Sequence, residues 1–323
     1  MFTRSIAAAC IGFACLGGPV AAKDGPPMEI LIDGSRIFPE NIDADDEGNI
    51  YATSLRGTIY RAPAGSNKAV PWILPDETNK LLWTLGIYSD DAAGTLWVCT
   101  SPAGFLGPDM AGDAAVVAFD LASGAFKSRH VLPKPSGDGA PPDAVCNDIA
   151  VGRDGKVYVT DTAGGRLFSL ALEAEQLKLE SADPLLNGVE GPAFGADGQL
   201  YLNNTRNNGI FRVERDADGH FTGLTQLETS VPLNGADGFR HYRGNQFLQA
   251  ETGGTGRITL VTIDGDRAAI DVLAEGTGSA GVTFIDDVIY SAEGKIGYLF
   301  DPQLKDQNPD PFVITGFRFK EQE

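Results

Sequence analysis

Histidine and cysteine are both scarce in this chain, with three and four residues among 323. His130, His220 and His241 stand far apart, and His220 sits in the turn Asp218-Gly219-His220. Neither a histidine dyad nor a Ser-His-Asp triad is therefore expected, and Ser54 and Ser291 have no histidine placed to activate them. Positive charge is short as well: 25 Lys and Arg against 44 Asp and Glu leave a net charge of −19. Such a surface repels nucleic-acid phosphates and anionic lipids, so no nucleic-acid partner is expected. Helical periodicity is nearly missing, and only Leu170 to Leu179 reads weakly as helix. Glycine (40) and proline (19) are plentiful in a chain that is 42% hydrophobic. That balance suits a loop-rich globule with a packed core, whose expected partners are small neutral molecules and cations.

The one apolar run long enough to notice is at the start. Arg4 precedes Ile6 to Leu16, and Val20-Ala21-Ala22 offers a small-residue cleavage pattern. Residues 1–22 read as a secretory signal peptide, and the run is shorter than the roughly 20 apolar residues a membrane span needs. The expected product is exported, periplasmic or extracellular, with no membrane insertion of the mature chain. Loss of the leader, which carries Arg4 and no acid, takes the net charge from −19 to −20. Cys99 and Cys146 are the cysteines left, and they read equally as one disulfide or as two small buried hydrophobes.

Beyond the leader, residues 23–323 read as a single domain organised by a repeated pattern. A tight turn is followed by a short apolar strand at Gly48, Gly94, Gly155, Gly198, Gly244 and Asp287. The intervals between these turns are 46, 61, 43, 46 and 43 residues. A period of about 45 is what a four-stranded propeller blade requires. Each copy carries an apolar segment before the turn and further strands after it, with Ile296 to Leu299 as the third strand of the last copy. Met28 to Ile32 and Phe312 to Phe319 flank the copies and would complete one blade between them. The expectation is an all-β, six-bladed β-propeller with four-stranded antiparallel blades. The long interval implies extra loops at Ser101 to Asp113 and Pro133 to Asp143, the first carrying Phe105 and Leu106 as a hydrophobic lid.

Inner strands of a propeller line its channel, so equivalent positions become neighbours. Eight residues before the turn lie Glu40, Gly86, Asn147 and Glu190; seven before the fifth turn lies Asp237; Ser279 or Ala280 falls there in the sixth. Three carboxylates and an amide at one level would repel without a counter-charge. Two like charges 4 Å apart cost about 4 kcal/mol at an effective dielectric of 20, so the ring is expected to hold a cation or take up protons. Oxygen donors without Cys or His favour a hard ion, and Ca2+ tolerates irregular geometry.

These residues also carry a family resemblance. Phe38-Pro39-Glu40-Asn41-Ile42 before Asp45-Asp46-Glu47-Gly48-Asn49-Ile50-Tyr51 resembles the opening of the gluconolactonase and senescence-marker-protein (regucalcin-like) family of six-bladed propellers. Cys146-Asn147-Asp148-Ile149-Ala150-Val151 and Asn234-Gly235-Ala236-Asp237-Gly238 are similar to later segments of the same family. The resemblance implies a divalent ion, usually Ca2+ and sometimes Zn2+, Mg2+ or Mn2+, held by Glu40, Asn147, Glu190 and Asp237. It places Asp148 at a substrate-contacting position. The fourth-blade ligand of the family is usually Asn; here either Glu190 or Asn187 takes that part. Val145 stands where sugar-lactonase members carry an arginine.

The function expected on this basis is an exported, metal-dependent hydrolase acting on a small neutral lactone or ester. The cation would polarise the carbonyl, Asp237 would accept a proton from water, and Asp148 would orient substrate. The alternative is a non-catalytic propeller that binds a ligand or protein and uses the ion as a structural pin.

Overall fold

The computed structural model describes residues 26–319. The expected leader, residues 1–22, lies outside the described residues. The chain is all-β and propeller-like, built from four-stranded antiparallel units. The first comprises Pro39–Ala44, Ile50–Ser54, Ile59–Ala62 and Lys68–Ile73; the second Trp83–Asp90, Thr95–Ser101, Ala115–Asp120 and Phe126–Val131. The third comprises Cys146–Val151, Val157–Asp161, Arg166–Leu170 and Lys178–Ser181; the fourth Val189–Phe194, Leu200–Asn204, Gly209–Arg215 and Phe221–Gln226. The fifth comprises Ala236–Arg243, Gln246–Glu251, Arg257–Asp264 and Arg267–Glu275. A last unit joins Val282–Ile285, Val288–Ala292 and Phe312–Phe317 to Glu29–Ile32 from the other end of the chain. Inner strands pack against one another in cyclic order, the last returning to the first, and so enclose a central channel.

The repeated turn explains the repeated hairpin. Gly48 at φ +85° and Gly198 at φ +82° take a backbone conformation that side chains disfavour, and Asp286 at φ +55° fills this part in the last unit. Three residues beyond each turn comes an aromatic ring: Tyr51, Trp97, Tyr158, Tyr201, Phe247 and Tyr290. These rings pack between successive units. Tyr158 meets Phe194, and Tyr201 meets Phe247, each edge-on at 5.3 Å. Each such pair contributes about 0.5–1.5 kcal/mol beyond area burial.

Two expectations change. The last copy's third strand is Phe312–Phe317, because Ile296 to Leu299 falls at a short helix, Gly297–Phe300, within an insertion. Leu170 to Leu179 contains no helix; it ends one strand, turns, and enters the next. Among the described residues no helix is long and apolar enough to cross a membrane.

Of the two readings of the cysteines, the structure has the disulfide. Cys99 and Cys146 are bridged with their Cα atoms 5.2 Å apart, 47 residues apart in sequence. The bridge ties the second strand of the second unit to the inner strand of the third. Closing a loop of that length restricts the unfolded chain by about 4 kcal/mol in the chain-entropy account. The double variant Cys99→Ala/Cys146→Ala should unfold at lower urea concentration, with about 2–4 kcal/mol less stability and a steeper transition, because the unfolded chain without the bridge exposes more surface.

Candidate metal centre

The site starts from a backbone irregularity that recurs. In each of the first five inner strands the register slips by one residue at the same step: between Pro39 and Ile42, Thr84 and Ile87, Cys146 and Ile149, Val189 and Pro192, and Ala236 and Phe239. Each slip is a β-bulge holding two residues: Glu40-Asn41, Leu85-Gly86, Asn147-Asp148, Glu190-Gly191 and Asp237-Gly238. Bulges re-aim side chains and cluster beside functional sites. The unpaired bulge amides find side-chain acceptors on the next strand: Asn41 N donates to Thr53 Oγ1, Asp148 N to Thr160 Oγ1 and Gly191 N to Asn203 Oδ1.

Glu40, Asn147, Glu190 and Asp237 are thus all first residues of a bulge. The equivalent position of the second unit is the buried Leu85; Gly86, counted from the turn, lies one step further, where a Cβ would collide with Asn147 O. Asn187 is exposed on the rim before the strand, whereas Glu190 is buried within the ring. Its Oε1 accepts from Thr205 Oγ1 at 2.8 Å and its Oε2 from Thr162 Oγ1 at 3.1 Å.

Electrostatics tie the carboxylates together. Burial, then the charges of Asp237, Asp148 and Glu190, push the Glu40 carboxyl well above its ordinary range. Burial and Asp237 do the same to Glu190. Burial and the Asp148 charge raise Asp237 to about 8. Glu40 Oε2 is buried with no hydrogen-bond partner, and among the described residues the Asp237 carboxylate accepts no hydrogen bond. Buried oxygens that repel one another and lack donors are the setting in which a cation is favourable, and all-oxygen donors suit a hard ion. In its chemistry this donor set suits a divalent ion. The carboxylates of Glu40, Glu190 and Asp237 are not all within 4.8 Å of one another; among the described residues the acidic and histidine groups that close belong to Asp216, Asp218 and His220 on an exposed turn.

Asp148 does not face the ring's opening. It is 1% exposed, and both its oxygens are taken up by Arg240 at 2.9 and 3.1 Å, with Oδ1 also accepting from Ile149 N at 2.8 Å. Expected to orient substrate by contact, it acts instead as the counter-ion of a buried guanidinium. Burial works against the charge on Arg240, but Asp148 and Asp43 more than offset it and push its pKa above the usual range.

Sequence reasoning missed Arg240 for a physical reason. Strict alternation puts Asp237 and Arg240 on opposite faces; the extra bulge residue reverses the phase, so both face the channel. The same reversal brings Asp43 inward behind Glu40, where its Oδ2 accepts from Ser89 N at 2.7 Å. Asp161 and Glu251 are fully buried against Arg166 and Arg257 and hold the loops ahead of Asn147 and Asp237. The histidines all stay out of the ring: His130 bonds Ser128 and Glu175 O, His241 bonds Gly244 O, and His220 is exposed.

A cavity of about 740 Å3 opens at the opposite mouth, lined by Asp43, Tyr88, Ala150, Ala193, Arg240 and Thr283 from the inner strands, among others. Arg240 and Asp43 form its floor, so this cavity does not contain the carboxylate ring.

Strands, bulges and channel define an all-β protein of propeller-like fold with an acidic ring in one mouth. Comparisons with known proteins agree on the fold. The sequence model of a family described as strictosidine synthase-like, N-terminal, matches residues 28–62, the stretch that includes Glu40. A search of curated proteins returned no match. Among solved structures, a luciferin-regenerating enzyme is similar with a TM-score of 0.62 at 15% identity, over 88% of this chain and 92% of that one. A gluconolactonase from Xanthomonas campestris has a TM-score of 0.57 at 17% identity, over 88% and 87%. Virginiamycin B lyase from Staphylococcus aureus, in a catalytically inactive form with quinupristin, has a TM-score of 0.59 at 16% identity, over 81% and 80%. The chain therefore shares the gluconolactonase-like propeller fold, as its motifs led one to expect.

Acids whose folded pKa lies above the unfolded value bind more protons in the native state, so stability falls as pH rises between the two. For Asp237 that window runs from the ordinary carboxylate range to about 8, and Glu40 and Glu190, also pushed well above that range, act in the same direction. Without divalent ions, the urea midpoint should be higher at pH 5.5 than at pH 8 by an amount that shrinks in Glu190→Gln. A divalent cation should remove most of the difference in the unchanged protein.

Proposed function

We propose that this chain is an exported six-bladed β-propeller hydrolase that opens a small neutral lactone or ester at a divalent-cation site, Ca2+ first among the candidates. The observation supporting this reading is that Glu40, Asn147, Glu190 and Asp237 each stand first in a bulge of an inner strand, with a buried, unpartnered Glu40 oxygen among them.

A cation held by these four residues would supply Lewis acidity toward a carbonyl oxygen. Thr162 and Thr205 fix Glu190, leaving Glu40 and Asp237 as the ring carboxylates without protein donors among the described residues. Asp237 is the group to accept the proton of the attacking water. Its pKa of about 8 without a counter-charge falls when a cation is near, which brings the carboxylate toward the range in which a base works at neutral pH. Arg240 and Asp148 together keep bulk water from reaching the ring through the opposite mouth.

The rim is apolar on one side. Trp83 pairs with Ser101, whose Oγ donates to the carbonyl of Cys146, the residue before Asn147. On Trp83 packs Phe105, 65% exposed, from the insertion Ser101 to Asp113. Phe105 also meets Phe300 of the last unit's insertion at 5.9 Å. With Val145 at the neighbouring edge, this wall suits a substrate carrying an apolar substituent better than a polyhydroxylated one.

Chelation should abolish turnover of a panel of lactones and aryl esters, and Ca2+, Zn2+ or Mn2+ should restore it. Asp237→Asn should lower kcat by about 100-fold or more while thermal stabilisation by metal persists. Uniform inactivity of the unchanged protein with metal stabilisation intact would favour the non-catalytic binding propeller. Phe105→Ala should raise KM several-fold for alkyl-substituted lactones and leave kcat nearly unchanged, the pattern of lost uniform binding.

A further inference from the structure

The channel is crossed by one side chain. Arg240, 6% exposed, reaches from the inner strand of the fifth unit to those of the first three. Its Nη1 donates to Asp148 Oδ2 at 2.9 Å and to Phe239 O at 3.2 Å. Its Nη2 donates to Ile87 O at 2.7 Å, Asp148 Oδ1 at 3.1 Å and Asn41 Oδ1 at 3.5 Å. Asp43 Oδ1 lies 3.8 Å from Nε.

Two of these partners occupy corresponding places. Asn41 and Asp148 are the second residues of their bulges, directly after Glu40 and Asn147, and each folds its side chain back onto the next amide: Ile42 N to Asn41 Oδ1 at 2.9 Å, and Ile149 N to Asp148 Oδ1 at 2.8 Å. The other bulges place glycine there. At Gly86 and Gly238 a Cβ would collide with the neighbouring inner strand, at Asn147 O and Ala280 O, so close packing of backbones sets their position. A bulge residue has no ladder partner to fix it, and the first and third bulges, on which Gly281 and Gly86 pack closely, carry a polar side chain where the other three have glycine. The guanidinium holds those two side chains.

We propose that Arg240 is the positioning residue of the ring: by gripping Asn41 and Asp148 it sets where Glu40 and Asn147 stand relative to Asp237 on its own strand. A planar fork with five donors can serve three strands at once, whereas the single ammonium of lysine serves a point. The role in metal binding rests on the reading of the ring given above. The restraint on the two bulges does not.

The test uses the full-length protein with Arg240→Lys, which keeps the charge, and Arg240→Met, which keeps much of the bulk. Ca2+ and Zn2+ affinity is measured by calorimetry, and exchange of the Ile42 and Ile149 amides by NMR. Both variants should bind metal about tenfold to a hundredfold more weakly, the usual loss when a residue orienting a ligand is removed. Both amides should exchange faster while those of outer strands are unchanged. Millimolar guanidinium, but not equal NaCl or urea, should restore protection and affinity to Arg240→Met. Folded variants with unchanged amide protection overturn the proposal, whatever the metal result. If the unchanged protein binds no divalent ion, the ring reading fails, and the amide exchange and guanidinium rescue still decide the part played by Arg240. Should Arg240→Met not fold, Arg240→Lys carries both measurements, and wild-type protection and affinity in it overturn the proposal.

Discussion

Everything at the candidate centre follows from one extra residue in each of the first five inner strands. An ordinary strand would alternate its side chains, and Glu40 and Asp43, or Asp237 and Arg240, would point to opposite faces. The bulge resets the phase, so each strand presents two channel-facing positions three residues apart. The upper position holds Glu40, Leu85, Asn147, Glu190 and Asp237. The lower one holds Asp43, Tyr88, Ala150, Ala193 and Arg240, with Thr283 beside them, and these face the opposite cavity. The two tiers have opposite character. The upper tier is anionic and short of donors; the lower is closed by the Arg240–Asp148 ion pair, with Asp43 beside it.

That division makes electrostatic sense. Five carboxyls, of the buried Asp43, Asp148 and Glu190 and the half-buried Glu40 and Asp237, gather about a single guanidinium. Asp148 and Asp43 receive it, together with hydrogen bonds from Ser89 and Ile149. The upper three receive only part of its field, and burial and mutual repulsion push their pKa values up. A doubly charged ion would satisfy the same deficit, so one arrangement accounts both for the raised pKa values and for the proposed cofactor.

The scaffold around the centre is stiffened where it matters. Cys146, which carries the bridge to Cys99, immediately precedes Asn147, and its carbonyl accepts from Ser101. Asp161 and Glu251 hold the segments entering the third and fifth inner strands through Arg166 and Arg257. The insertions carrying Phe105 and Phe300 reach over the rim from either side of the first unit, which contributes Glu40. Rigid strands thus fix the ring, while loops shape what approaches it.

Turn spacing and local chemistry determined much by themselves. Glycines at a near-constant interval, each followed by an apolar strand with an aromatic at the third place, dictated repeated hairpins. Counting from those turns reached Glu40, Asn147, Glu190 and Asp237, because distance along a strand survives folding. Phase does not survive a bulge, and that is why Arg240 and Asp43 were invisible, why Asp148 was read as a substrate contact, and why Leu85 rather than Gly86 stands at ring level. Only the tertiary structure chose between two readings of Cys99 and Cys146, since pairing depends on a 5.2 Å approach across units. It alone showed that Ile296 to Leu299 leaves the sheet: an apolar run of four carries no period by which to tell strand from helix. The edge of the closing strand was already taken by Phe312–Phe317.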